Sequence, residues 1–270
     1  PAAAFHFARY LAASDRGLLA FKKEGYRVVD GDKWASRPEL VVFSGGVNRV
    51  AIEDTVSRFG EREGVDVVTK YNGCGILVGE MKTGARPDAY FACDASFMDG
   101  VEDLFLESVD ISETDMVILV SQDNPLKIGR LEDLTREGLK IGIANPEQSA
   151  LGGLTRRLLR EMGISDAVMK NVRVQVPTAD LLVNQLRGGS LDAAIVYEAN
   201  ASQVKDSTDI VGIEHPKAKA VQPIAIGVNS DMKVLARRFV DAMRSAASKQ
   251  SFESVGFRFR ADDSPEEADE

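Results

Sequence analysis

The feature that most constrains this chain is an alternation of short apolar strands with helical stretches that starts at Pro38 and then restarts. Glu39–Phe43 (ELVVF), Val65–Tyr71 and Ala89–Ala92 read as strands, and residues 49–60 and 76–83 read as helices between them. Met116–Ser121 reads as a strand broken by Asn124-Pro125, with a short helix over 130–136. The second series places strands at Lys140–Ala144, Val172–Val176 and Ala193–Tyr197. Helices run over 153–162 and 178–187 between them, Thr178 standing where it can cap the second. Gln222–Val228 reads as a last strand. Strands alternating with helices predict mainly parallel sheets flanked by helices, and two series predict two α/β lobes. The expected organisation is a helical segment over 1–37, lobe 1 over 38–120, lobe 2 over 121–220, a return to lobe 1 over 221–260 and a disordered acidic tail over 261–270. A hinge is expected near Leu119–Val120 and Gln222–Ile224.

Composition excludes several classes. No run of 18 apolar residues exists to span a membrane. A formal net charge of −9 argues against nucleic acid, since no basic stripe is available to neutralise phosphates. It leaves a small anion open, because a buried anion site is built from local dipoles. Two histidines, His6 and His215, and two cysteines, Cys74 and Cys93, supply neither a metal site nor a histidine-based triad. No cofactor is expected.

The end of the chain echoes its beginning. Arg9-Tyr10-Leu11 matches Arg238-Phe239-Val240; after a two-residue gap, Phe21 matches Phe252 and Gly25-Tyr26-Arg27 matches Gly256-Phe257-Arg258. Each stretch reads as an amphipathic helix, a short aromatic-bearing helix, a glycine stop and a strand-like end. Either two surface helices share a common pattern, or residues 1–37 are the closing helices of a preceding copy. The retained spacing favours the second reading.

Ligands of open parallel sheets collect beyond the carboxyl ends of the strands, where helices begin. Four turns occupy that position: Ser44–Val47, Asn72–Gly75, Gln148–Gly152 and Pro177–Ala179. Each precedes a helix whose first N–H groups lack intrahelical partners and whose dipole favours negative charge. Several such ends aimed at one cleft suit a dehydrated oxyanion.

The segments VVFSGGVNR, VDVVTKYNGCGIL, PDAYFACDASFMD, KIGIANPEQSALG, VPTADLLVNQL, SLDAAIVYEANAS and VQPIAIGV follow one another in an order that resembles the molybdate/tungstate-type substrate-binding proteins of ABC transporters. The resemblance covers about residues 38–260. It implies a type 2 periplasmic-binding fold, an extracytoplasmic location, a membrane subunit of an ABC transporter as partner, and a bound oxyanion without catalysis. It implies a ligand shell of Ser44, Gly45, Gly46, Val47 and Arg49 in the first turn, Cys74 and Gly75 in the second, backbone N–H groups near Leu151 and Ala179, and the hydroxyl of Tyr197. Val47 and Cys74 stand where the family commonly has hydroxyls. Apolar Ile195 and Val196 imply a hydrogen-bonding site without added carboxylates.

The expected function is capture of a small tetrahedral oxyanion for an importer. The alternative is a duplicated, ligand-degenerate binding fold acting as a sensor or interaction module. Cys74 at a helix start suits a nucleophile, but no base is evident beside it. A Cys74–Cys93 disulfide is open in an oxidising compartment. Asp94 reads as a helix cap ahead of a ligand contact, and Tyr197 equally as a hinge-packing residue.

Overall fold

One thirteen-residue strand organises the computed structural model, which describes residues 2–261. The strands are β1 (Glu39–Gly45), β2 (Asp66–Asn72), β3 (Ala89–Phe91), β4 (Val109–Ser121), β5 (Ile141–Ala144), β6 (Val172–Val176), β7 (Ala193–Tyr197), β8 (Thr208–Gly212), β9 (Lys219–Ile226) and β10 (Arg258–Phe259). The helices are α1 (Ala2–Leu11), α2 (Gly17–Lys23), α3 (Arg49–Glu63), α4 (Cys74–Lys82), α5 (Ala95–Asp99), α6 (Ala150–Glu161), α7 (Ser165–Asn171), α8 (Ala179–Arg187), α9 (Glu198–Ala201), α10 (Lys233–Met243) and α11 (Ala246–Ser254).

The sheet runs β2-β1-β3-β9-β4-β7-β5-β6, with β8 and β10 also on β4. Val109–Asp115 of β4 pairs antiparallel with β9, and Met116–Val120 pairs antiparallel with β7. The strand therefore leaves one lobe and enters the other between Asp115 and Met116. Within each lobe the βα-connected strands are parallel: β2-β1-β3 in the first and β6-β5-β7 in the second. The partner exchange lies a few residues before the expected hinge at Leu119–Val120. The reason is burial. Met116–Val120 is buried on both faces and belongs to the second lobe, whereas Ser112–Asp115 alternates as a half-covered strand does. The chain returns at Ala218–Lys219, where Met116 N–H donates to Ala218 O at 2.7 Å.

Helices cover both faces and bury large side chains between them. Phe59 of α3 meets Phe239 of α10 edge-on at 5.3 Å, each ring contributing about 1.5–3 kcal/mol by its removal from water. In the first lobe, Cys74 at the start of α4 and Cys93 just beyond β3 form a disulfide with Cα atoms 6.3 Å apart. It bridges the ends of β2 and β3 across β1 at the carboxyl end of the sheet.

Residues 2–37 pack on their own first lobe. Arg9 donates to the carbonyl of Glu63 at the end of α3, and the Arg238 guanidinium of α10 lies 4.8 Å over the Phe5 ring. Trp34 is wedged edge-on against His6 and Tyr10. The Asp32 carboxylate accepts from Val234 and Leu235 N–H, both at 2.8 Å, and so caps α10 from outside that helix. The expected acidic tail from Asp262 onward lies outside the described residues.

Two stability predictions follow from these ties. Asp32→Ala strands two helix N–H groups and costs about 1–2 kcal/mol in urea denaturation, while Asp32→Asn, which can still accept, costs much less. Replacing Cys74 and Cys93 together by alanine relaxes a loop with a separation of 19 residues and costs about 3 kcal/mol by the chain-entropy argument; an unchanged midpoint under reducing and oxidising conditions would refute it.

Candidate functional site

The four turns read from the sequence meet where the lobes face each other. On the first lobe, β1 ends in a tight turn over Gly46–Asn48 that opens α3, and β2 ends at Asn72, followed by Gly73, which opens α4. On the second, β5 leads through Asn145–Ser149 into α6, and β6 leads through Pro177-Thr178 into α8. Asn145 shapes its own turn, its side-chain oxygen accepting from the N–H groups of Glu147 and Gln148. The lobes touch backbone to backbone here. Gly75 N–H donates to Gln148 O at 3.0 Å. A Cβ at Gly73 would collide with the carbonyls of Gln148 and Pro177, and one at Gly75 with those of Glu147 and Gln148. Only glycine permits this approach at either position.

The floor is apolar and continuous. Val47, Cys74, Ala150, Leu151, Ala179 and Tyr197 belong to one buried cluster that extends through both lobes. The polar groups set into it are few. Tyr197 ends β7 opposite Met116, where β4 passes between lobes, and its buried hydroxyl has no hydrogen-bond partner. Burial, and then the nearby charge of Asp94, push the Tyr197 hydroxyl far above its ordinary range, so it stays protonated and able to donate. Asp94 caps α5, accepting from Ser96 N–H at 3.1 Å, and burial raises its carboxyl despite the opposing bonds from Ser96 and the charge of Arg157. Asp180, in the first turn of α8, accepts from Asn200 at 2.9 Å. Burial raises its carboxyl too, against the bond from Asn200 and the charge of Arg49 on the other lobe.

The expected ligand residues fall into two groups. Gly45, Gly46, Cys74 and Gly75 come together: Gly45 lies against Cys93, and Gly46 faces Asn72 O and Thr178 across the interface. The Leu151 and Ala179 N–H groups sit in the first turns of α6 and α8, where helices have no internal partner for them. Several expected contacts are engaged elsewhere, in part at these same positions. The Ser44 hydroxyl is buried and donates to its neighbour Gly45 O at 3.3 Å. Val47 is packed in the core. Arg49 is exposed, bonded to Glu53 at 2.7 Å and stacked 5.5 Å from the Tyr71 ring. Gly75 spends its N–H on Gln148. Cys74 has no free thiol, which removes the nucleophile reading. Thr178 occupies the cap position of α8, but its side chain makes no capping bond.

Sequence reading missed Asn48. This fully buried side chain donates to Phe91 O and Ala92 O, both at 3.2 Å, and its Oδ1 has no partner. It ties the first turn to the end of β3. An asparagine just after a Gly-Gly turn is the one signal that could have marked it. Among the described residues, no group of three or more His, Cys, Asp or Glu is placed to hold a metal ion, and no helix is long and apolar enough to cross a membrane.

Comparisons with known proteins agree with this geometry. The molybdate-binding protein of Mycobacterium tuberculosis is 28% identical over 229 residues, covering 81% of this chain and 84% of that protein. Among solved structures, the periplasmic molybdate-binding protein of Azotobacter vinelandii superposes with a TM-score of 0.66 at 20% identity, covering 81% of this chain and 98% of that one. The sulfate-binding protein SubI of Mycobacterium tuberculosis gives 0.70 at 16% identity, covering 83% and 87%. The family described as bacterial extracellular solute-binding protein matches residues 40–258. With two α/β lobes on a shared strand and facing helix N-termini between them, the chain belongs to the bacterial extracellular solute-binding proteins.

Proposed function

We propose that this chain captures a small tetrahedral oxyanion, of the molybdate or tungstate type, between its lobes and delivers it to the membrane subunit of an ABC importer outside the cytoplasm. The observation that carries this reading is the buried, protonated and unpartnered hydroxyl of Tyr197 beside the lobe boundary. A buried hydroxyl without a partner costs about 1–3 kcal/mol, a cost that an anion accepting its hydrogen bond removes. The first N–H groups of α6 and α8 supply further donors whose strength does not depend on side chains, so the loss of hydroxyls at Val47 and Cys74 is compatible with binding. Relatives of similar fold are named for molybdate and for sulfate, both tetrahedral oxyanions. A cage of fixed donors selects by size, because a ligand that leaves donors unpaired is penalised.

A second reading, a ligand-degenerate domain serving as a sensor or interaction module, is favoured by one observation. The lobes already satisfy each other at Gly75 and Gln148, and an anion between them has to break or bypass that bond. Isothermal titration separates the two. The capture reading expects saturable heat with molybdate or tungstate, sulfate and phosphate binding more weakly. Tyr197→Phe then weakens binding about tenfold, the equivalent of about 1.4 kcal/mol. Absence of heat with all four anions overturns the capture reading and leaves the sensor.

A further inference from the structure

The amino-terminal arm repeats the closing helices of the domain in conformation, and it reverses them in burial. Gly25 at φ +87° and Gly256 at φ +89° stop α2 and α11 in the left-handed region. Tyr26 N–H then donates to Phe21 O at 3.0 Å, as Phe257 N–H donates to Phe252 O at 3.1 Å. The Phe21–Tyr26 rings meet edge-on at 5.9 Å, and the Phe252–Phe257 rings meet edge-on at 5.3 Å. The two ends of the chain therefore share one structural motif, assembled from matching residues at matching spacing.

Their surroundings differ completely. Phe239, Phe252 and Phe257 are 0%, 0% and 3% exposed, whereas their counterparts Tyr10, Phe21 and Tyr26 are 41%, 45% and 66% exposed. A Cβ built on Gly25 meets nothing within 4 Å; one on Gly256 lies 3.5 Å from Glu198. Beyond the shared turn, Arg258-Phe259 forms β10 on β4, and Arg258 grips Asp115 at 2.7 and 2.8 Å and Glu113 at 2.8 Å. Arg27-Val28 follows the same turn and joins no strand.

We propose that α1, α2 and Arg27-Val28 are the closing helices and edge strand of a second domain of this same fold, and that their exposed aromatic face is the surface on which that domain's sheet docks. The acceptor is not the lobe described here, because α10, α11 and β10 already fill that position. It is a copy whose own closing elements are this arm, with an acidic pair on its shared strand to receive Arg27. The arm is held to this domain elsewhere, by Asp32, Arg9 and Phe5. The arm is then the joint between two binding domains, and it lies outside the family match over residues 40–258. None of this depends on which solute the cleft takes.

Hydrogen–deuterium exchange tests it, comparing the polypeptide as the cell produces it with residues 1–270 alone. Amides of α1 and of residues 21–28 are expected to exchange at least tenfold more slowly in the cell-made polypeptide. Phe21→Ser combined with Tyr26→Ser is expected to erase that protection while leaving the melting temperature of residues 1–270 unchanged, which separates lost docking from misfolding. Equal exchange in the two samples overturns the proposal, as does a cell-made polypeptide with no second domain of this fold. A dimer of residues 1–270 that the double substitution dissolves, seen by sedimentation velocity, overturns it in favour of self-association.

Discussion

Everything in this fold that concerns the cleft depends on β4 belonging to two lobes at once. Its first half carries β9 and β10, and its second half carries β7 and β8. Because backbone hydrogen bonds of a ladder form and break cooperatively along a strand, each lobe is stiff up to the residue where β4 changes partners. The chain crosses between the two ladders at Asp115–Met116 and returns at Ala218–Lys219. Two side-chain bonds span the junction beside them: Ala199 N–H donates to the Thr114 hydroxyl at 3.4 Å, and Ser202 donates to Val255 O at 2.8 Å. Two short chain crossings between two ladders are the places where a two-lobed fold of this kind can bend.

The same geometry sets what a ligand must do. The lobes approach through Gly73 and Gly75, and the bond from Gly75 to Gln148 joins them there. A ligand raises the closed population only by the affinity it has for that state over the open one. On the proposed capture reading, the contact between lobes works in two directions. On that reading it preorganises the helix N-termini, and it occupies an N–H, that of Gly75, which a ligand would otherwise be offered. The Cys74–Cys93 bond acts on the first lobe alone, holding the start of α4 against the end of β3 and so fixing the spacing of those two turns.

Much of the architecture was legible because glycine, proline and asparagine punctuate the chain where strands end. ELVVF before Ser44-Gly45-Gly46 and IGIA before Asn145-Pro146 are apolar runs stopped by turn formers, and the structure has strands and turns there. The first half of β4 was not legible. Ser112, Glu113, Thr114 and Asp115 look like a polar loop until their partners are known. Ser112 bonds Gln222, 110 residues away, and Glu113 and Asp115 bond Arg258, more than 140 residues away. No local pattern carries such information. The site divides the same way. Its turns are local and were visible, whereas the role of Asn48 rests on carbonyls of β3, and the state of Cys74 rests on where Cys93 lies.

The two ends of the chain make that division sharp. Phe21 to Tyr26 and Phe252 to Phe257 reach the same turn, the same positive-φ glycine and the same edge-on ring pair, so this conformation is specified within six residues and needs no tertiary help. Burial is not specified there. One copy of the motif is sealed beneath α9 and β4 and the other faces outward, since burial depends on which surface the rest of the polypeptide brings up. A locally encoded motif whose aromatic residues stay exposed is what the proposal of a second domain rests on.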